Sequence, residues 1–253
     1  MKIFYLVILL TTGNLYADVN TFYADKKELL EKHTLKNDEL KEELFKIISK
    51  EHHAVGYNSA KRYIFGQLFL QKDADNSFYI QDVYCNKIIK SGVGPGAIPS
   101  NDKMNVEHTW PQSKFNGGMN AETQKSDLHH LFPTDSKANS IRSSNRFADV
   151  SNNRYLDNNC SASKSGPSTL KGGDRYFEPP TEHKGNVARA IFYFSVRYQL
   201  KINSYEQEVL KRWNDIDPVD QAEIDRNNQI ESLQGNRNPF VDFPELVSDI
   251  NRF

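Results

Sequence analysis

The chain is nearly devoid of cysteine: Cys85 and Cys160 are the only two among 253 residues. That excludes a thiolate-built zinc cluster, which needs more sulfur ligands at closer spacing. It also limits intramolecular crosslinking to one bridge, Cys85 to Cys160, the alternative being two buried free thiols. Such a bridge would close a long loop and stabilise by about 4 kcal/mol in the chain-entropy account. A dominant charge is missing too. The net charge of −1 excludes a strongly basic nucleic-acid coat. Ile3 to Leu10 is too short to span a bilayer, and no later apolar run is long enough. Internal repeats and low-complexity tracts are absent, which excludes solenoids and arrays. What is present, 38% hydrophobic and 11% aromatic residues, is enough to build a core and argues against disorder.

Met1-Lys2 carries one positive charge, Ile3 to Leu10 is apolar, and Thr11 to Ala17 is short and polar. This is the pattern of a secretory signal cleaved after Ala17, with a buried N-terminal strand as the alternative. Residues 1–17 would then leave, and 18–253 would form a mature, soluble chain in the periplasm or the medium. Losing Lys2 takes the net charge from −1 to −2. Charge is uneven along the rest. Lys164 to Lys201 holds seven bases against three acids, whereas Glu206 to Phe253 holds eleven acids against five bases. A local basic surface on a near-neutral protein suits reversible binding of a polyanion, although solvated helix faces give the same pattern.

Leu29, Leu30, Leu40, Leu44, Ile47 and Ile48 recur at helical spacing over 25–50, with Thr34 or Asn37-Asp38 as a possible break. A second helix starts near Asn58 or Ser59, with Gly66 weakening it. Phe78 to Tyr84 is β-prone. Residues 91–103 and 151–175 read as loops. The clearest helix is 187–200, with Asn186 as its cap. Asn203 to Arg212 continues helical, and Asp217-Pro218 starts a further helix. The expected fold is α+β: a mostly helical single domain with a small β element around 104–135.

Chemistry concentrates in three runs: Asn105-Val106-Glu107-His108-Thr109-Trp110-Pro111-Gln112-Ser113, then Asp127-Leu128-His129-His130-Leu131-Phe132-Pro133, then Asn139-Ser140-Ile141-Arg142. Phosphodiester hydrolysis needs an activated water, charge stabilisation on the phosphate and help for the leaving oxygen, and a divalent cation can supply the last two. Hard cations such as Mg²⁺ take oxygen ligands and keep waters. Glu107 and Asn139 offer one carboxylate and one amide oxygen. His108, on the opposite face of a strand from Glu107, is better placed as a general base; an acceptor should orient its other nitrogen. Asp127 and His129, read as i and i+2 on a returning strand, share a face and can orient His108, bind a metal-held water or hold phosphate. His130 would be a surface or packing residue. Glu-His dipeptides arise by chance; the ordered succession of the three runs is what gives them weight.

Together these runs resemble the endonuclease I family of secreted and periplasmic nucleases. Lys184 to Ala190 with Arg197-Tyr198, and Trp213, Asp217-Pro218, Glu223, Arg226-Asn227 and Gln234 to Asp242, extend the resemblance over roughly 40–245. It implies a ββα-metal (His-Me finger) motif and an endonuclease, sugar-non-specific or DNA-preferring, that acts on DNA or on both DNA and RNA with little sequence specificity. It also implies one Mg²⁺-like ion on Glu107 and Asn139, and His108 as base. The family's phosphate-binding arginine has no counterpart between the first two runs, where only Lys114 and Lys125 lie. By position, Arg142 or Arg189 would take that part. Full turnover by both Arg142→Ala and Arg189→Ala would exclude them. Tyr176, Phe177 and Trp110 are candidates for stacking on bases, with core packing as the alternative. The competing functions are a catalytically inactive nucleic-acid-binding protein on the same fold, and a zinc protein built on His108, His129 and His130.

Overall fold

A computed structural model describes residues 19–253 other than 153, 158, 171 and 172. The expected signal, residues 1–17, lies outside the described residues. The helical stretch of 25–50 divides into α2 (Lys27–Glu31) and α3 (Asn37–Lys50), preceded by α1 (Val19–Tyr23). His33, with a left-handed φ of 53°, turns the chain between α2 and α3. α3 buries Leu40, Leu44 and Ile48, the three- and four-residue stripe of an amphipathic helix. α4 (Tyr57–Tyr63) runs on into a π-helical turn over Ile64–Leu68. Glycine at 66 is a packing requirement, because a Cβ there would lie 2.4 Å from the backbone nitrogen of Gly96. The 91–103 loop therefore rests directly on the helix.

β1 (Gln71–Lys72), β2 (Phe78–Gln81) and β3 (Ile88–Ile89) form a small antiparallel sheet. The β-prone run stops at Gln81 instead of continuing to Tyr84. Asp82, buried, accepts from the backbone N–H groups of Tyr84, Cys85 and Lys87 and so turns the chain. β4 (Met104–His108) and β5 (Leu131–Asp135) pair antiparallel, Met104 opposite Asp135 and His108 opposite Leu131. α5 (Ala121–Ser126) lies between them in sequence, and α6 (Ser136–Arg142) follows β5 directly.

The polar stretch 151–175, expected to be a loop, instead contains β7 (Tyr155–Asp157) and β8 (Cys160–Pro167). With β6 (Arg146–Phe147) and β9 (Arg175–Glu178) they make a four-stranded sheet of order β6-β9-β8-β7. β8 is Cys-Ser-Ala-Ser-Lys-Ser-Gly-Pro and carries no apolar alternation. It is ordered by pairing on both sides and by small residues that pack flush, Ser163 bonding the Tyr84 carbonyl at 2.7 Å. Cys160 is joined to Cys85 with 4.6 Å between Cα atoms.

The C-terminal half is α7 (Lys184–Tyr198), α8 (Ser204–Ile216), α9 (Gln221–Gln234) and α10 (Pro239–Asp242). α7 follows a 3-10 turn over Thr181–His183, so Asn186 lies inside its first turn and is not the cap. Asn203 caps α8 through its side chain, and Asp220, rather than Asp217, caps α9. α7 packs against α3 and α8 and forms the middle of the larger core. Tyr176, Phe177 and Trp110 belong to that core, at 2%, 0% and 9% exposure, which places them away from any base-stacking surface. No helix among the described residues is long and apolar enough to cross a membrane. The class is mixed α+β with small sheets, as expected, but with more β-structure than the 104–135 element alone.

Candidate active site

One edge of β4 pairs with β5; the carbonyls of Val106 and His108 project from the other. α6 covers that second edge. Asp135 starts α6 by accepting from the Ala138 N–H, and the helix presents Asn139 and Arg142 one turn apart, on one face. The Asn139 amide nitrogen donates to Asn105 Oδ1 at 2.7 Å and to Val106 O at 3.3 Å. Arg142 Nη1 donates to His108 O at 3.0 Å, and Nη2 to Thr109 O. β4, β5 and α6 therefore bring Glu107, His108, Asn139 and Arg142 to one open cleft of about 430 Å³, lined also by Gln112 and Ser143.

Glu107 is almost fully buried and held from two sides. Tyr84 Oη donates to its Oε1 at 2.9 Å, and Arg142 Nη1 lies 2.9 Å from the same oxygen. Burial pushes the carboxyl above its ordinary pKa, while Arg142 and then Tyr84 pull it down. Among the described residues no hydrogen bond reaches Glu107 Oε2. With its nitrogen committed, the Asn139 amide likewise keeps Oδ1 available. Two hard oxygen donors at the edge of an open cleft fit a cation that retains most of its waters. The carboxylate oxygen shared by Arg142 and Tyr84 is already in use, so the donor set is sparse.

His108 is fixed by the Lys125 carbonyl, 3.1 Å from Nε2. A carbonyl only accepts, so Nε2 carries the proton and Nδ1 keeps the lone pair. The Gln112 amide stands 3.4 Å from Nδ1, and the Tyr57 ring lies 5.4 Å from the imidazole. Burial pushes the His108 pKa down, the Lys125 carbonyl bond resists, and the Lys125 and Arg142 charges add to the fall, to about 4. His108 is therefore a neutral imidazole across the neutral pH range.

Other expected site residues lie elsewhere. Asp127 and His129 are not on a strand: Leu128–His130 is a 3-10 turn capped by the Asp127 side chain, and β5 begins only at Leu131. Both are drawn into the interior, at 1% exposure each. Asp127 accepts from Tyr193 Oη, Tyr198 Oη and Gln234 Nε2, at 2.8–2.9 Å. His129 Nε2 bonds the Asn236 carbonyl at 3.2 Å. Asp127 ties α5, α7 and α9 together, a structural contact rather than one with substrate. His130 packs on Phe194, ring centres 4.3 Å apart, and neither ring nitrogen has a hydrogen-bond partner among the described residues. His108, His129 and His130 thus turn their nitrogens to different surroundings, and among the described residues no group of three or more His, Cys, Asp or Glu forms a metal cage. Arg189 is also interior, at 1% exposure. It grips both Glu223 oxygens and bonds Asn214 Oδ1 and the Asp217 carbonyl, so it does not face the cleft. Of the two arginines expected by position, Arg142 alone reaches it.

The acceptor expected for the other nitrogen of His108 is the Lys125 carbonyl; Tyr84, Asn105 and Gln112 are site residues that the sequence reading does not single out. Asn105 was within reach of pattern reasoning, because it stands two residues before Glu107 on the same strand. Tyr84 and Lys125 come from distant segments, and no local signal marks them.

A sequence model of the Endonuclease I family matches residues 36–245. The extracellular ribonuclease of Bacillus subtilis (strain 168) is 32% identical over 253 aligned residues, covering 93% of this chain and 80% of that protein. The extracellular ribonuclease of Bacillus amyloliquefaciens is 38% identical over 164 residues, 58% of this chain and 53% of that protein. The periplasmic deoxyribonuclease of Aeromonas hydrophila is 30% identical over 130 residues, 50% of this chain and 52% of that protein.

Proposed function

Because the chain belongs to the Endonuclease I family, whose named relatives are nucleases, we propose that it is an exported, metal-dependent endonuclease cutting DNA, RNA or both with little sequence preference. The observation that carries this reading is the fixed tautomer of His108 at the cleft. With Nε2–H held by the Lys125 carbonyl, Nδ1 is the basic nitrogen; it faces Gln112, and His108 and Gln112 line the same cleft as Glu107 and Asn139. Nδ1 takes the proton of the attacking water. Its low pKa keeps it free to do so, and the resulting imidazolium is stabilised by the Lys125 carbonyl.

Glu107 Oε2 and Asn139 Oδ1 would hold one divalent cation, most simply Mg²⁺, which when bound supplies charge stabilisation at the phosphate and the leaving oxygen. Asn105 and the Val106 carbonyl keep Asn139 from rotating its nitrogen toward that position. Arg142 holds Glu107 and the end of β4; with one nitrogen so close to the cleft, it also contributes positive potential where a phosphate would sit. Strand, strand and helix in this order are consistent with the ββα-metal (His-Me finger) motif. The extracellular and periplasmic names of the relatives, together with the N-terminal segment, support export.

The test is plasmid cleavage by the mature protein with Mg²⁺, with EDTA, and with His108→Ala. Cleavage that EDTA stops and Mg²⁺ restores, and that falls by about 10²–10⁴ in the variant, supports the reading. Indifference to EDTA removes the metal, and an unimpaired variant removes His108 as base. Nucleic-acid binding without any cleavage would instead identify an inactive binding protein.

A further inference from the structure

Beside the cleft lies a second, smaller depression of about 80 Å³ that shares Pro111 and Arg142 with it. Its rim carries Lys114, Arg146 and Lys201 in addition to Arg142. These residues come from the turn after β4, from β6 and from the loop between α7 and α8, so no single amphipathic surface puts them together. Four cations meet one carboxylate here, Glu206. The Glu107 carboxylate in the neighbouring cleft makes two, so the combined surface keeps an excess of positive charge.

The pairing is also incomplete. Glu206 is 9% exposed and spends one oxygen on the Phe147 N–H at 2.9 Å; its other oxygen is 3.7 Å from Arg146. Among the described residues no carboxylate lies within ion-pairing distance of Lys114 or Lys201. Lys114 donates instead to the Ser144 carbonyl at 2.8 Å. Burial lowers its pKa, Glu206 opposes this, and the Arg146 and Arg142 charges lower it further. Like charges therefore crowd one another, and an anion seated among them would relieve the repulsion.

We propose that this furrow, with Lys114, Arg146 and Lys201 as its cations, binds the sugar–phosphate backbone of the nucleic-acid strand next to the phosphate being cut. The inference rests on the hydrolytic reading of the neighbouring cleft and adds the path of the strand. A chain crossing the cleft over His108 and Arg142 leaves it past Pro111 directly into the furrow. The contacts available there are ammonium and guanidinium groups, with the Trp110 ring buried beneath. The furrow reads charge and spacing rather than base identity.

The experiment measures binding of a short fluorescein-labelled single-stranded oligodeoxynucleotide in EDTA, between about 50 and 200 mM salt, for wild type, Lys201→Gln, Arg146→Gln and the double variant. Lys201 is exposed and among the described residues has no carboxylate partner, so Lys201→Gln folds even if Arg146→Gln, which releases Glu206, is impaired. Lys32→Glu, an exposed change on the segment following α2, controls for net charge. The expected result is a salt slope shallower by about 0.7 for each cation removed, a several-fold weaker Kd for each single variant at low salt, and no comparable change for Lys32→Glu. If wild type cuts the oligonucleotide on adding Mg²⁺ while Lys201→Gln keeps its slope and Kd, the furrow is refuted and the active-site reading stands. If wild type neither binds nor cuts, both fail. An equal loss in Lys32→Glu reduces the effect to overall charge and overturns the furrow.

Discussion

Arg189→Met separates a structural arginine from a substrate-binding one. In the wild type Arg189 makes five hydrogen bonds, three to Glu223 and one each to Asn214 and Asp217. Methionine fills part of the volume and makes none of them. Glu223, 5% exposed, is left inside without its counter-charge. Removing one partner of a buried pair costs about 3–5 kcal/mol. At roughly 2–4 °C per kcal/mol for a chain of this size, Tm should fall by about 6–20 °C. The measurements are urea unfolding and plasmid cleavage well below the variant's Tm. Cleavage per folded molecule should survive, because Arg189 does not line the cleft.

Acid supplies a second check on the same variant. Burial raises the Glu223 pKa, and Arg189 is the main influence lowering it; without Arg189 the value climbs further. A carboxyl whose folded pKa exceeds its unfolded one binds its proton more tightly when folded. The variant therefore gains stability relative to wild type as pH falls through that raised value. The stability gap should narrow between pH 7 and pH 5. An unchanged urea midpoint together with lost cleavage would refute this reasoning and return Arg189 to the substrate.

Asn139→Ala should raise the Mg²⁺ concentration for half-maximal cleavage by at least about tenfold, and Mn²⁺ titration calorimetry on the same variant should show the weaker site directly. His183 is buried, and burial pushes its pKa down to about 3. Below pH 6.5 the unfolded chain takes a proton that the folded one refuses, a penalty of about 2 kcal/mol at pH 5. His183→Phe should therefore lose about that much less stability than wild type between pH 7 and pH 5 in urea titrations; parallel losses would contradict it. The Cys85→Ser, Cys160→Ser double variant should unfold more easily by about 4 kcal/mol, a loss that reducing agent reproduces in the wild type and leaves unaltered in the variant.

The order of motifs made much of the site legible. Glu107, His108 and Asn139 stand within one stretch of chain, and strand alternation separates the surroundings of the first two, Tyr84 and Arg142 for Glu107 and the Lys125 carbonyl for His108. What could not be read was which polar residues point inward. Asp127 and Arg189 look like site residues because charged groups are seldom buried, yet here each is buried with a full set of partners. Those partners, Tyr193, Tyr198, Gln234 and Glu223, come from helices distant in sequence. β8 escaped notice for a related reason. Its order comes from pairing with neighbours, whereas sequence reading relies on apolar periodicity that Ser161, Ser163 and Ser165 do not provide. The helices are more legible because α3 and α8 carry their stripe within themselves; the start of α8 is marked by its Asn203 cap, whereas α7 starts at His183 with no side-chain cap and Asn186 does not mark it.

The covering of β4 by α6 has a consequence for solubility. A two-stranded sheet exposes backbone on its outer edges, and an open edge is a template on which another chain can add a strand. Here the outward carbonyls of Val106 and His108 already accept from Asn139 and Arg142. Asn139 and Arg142, which line the cleft, also deny that edge to a second molecule. Removing Arg142 would take a cation from the cleft and at the same time expose a sticky strand, so the lifetime of such a variant in concentrated solution has to be followed alongside its activity.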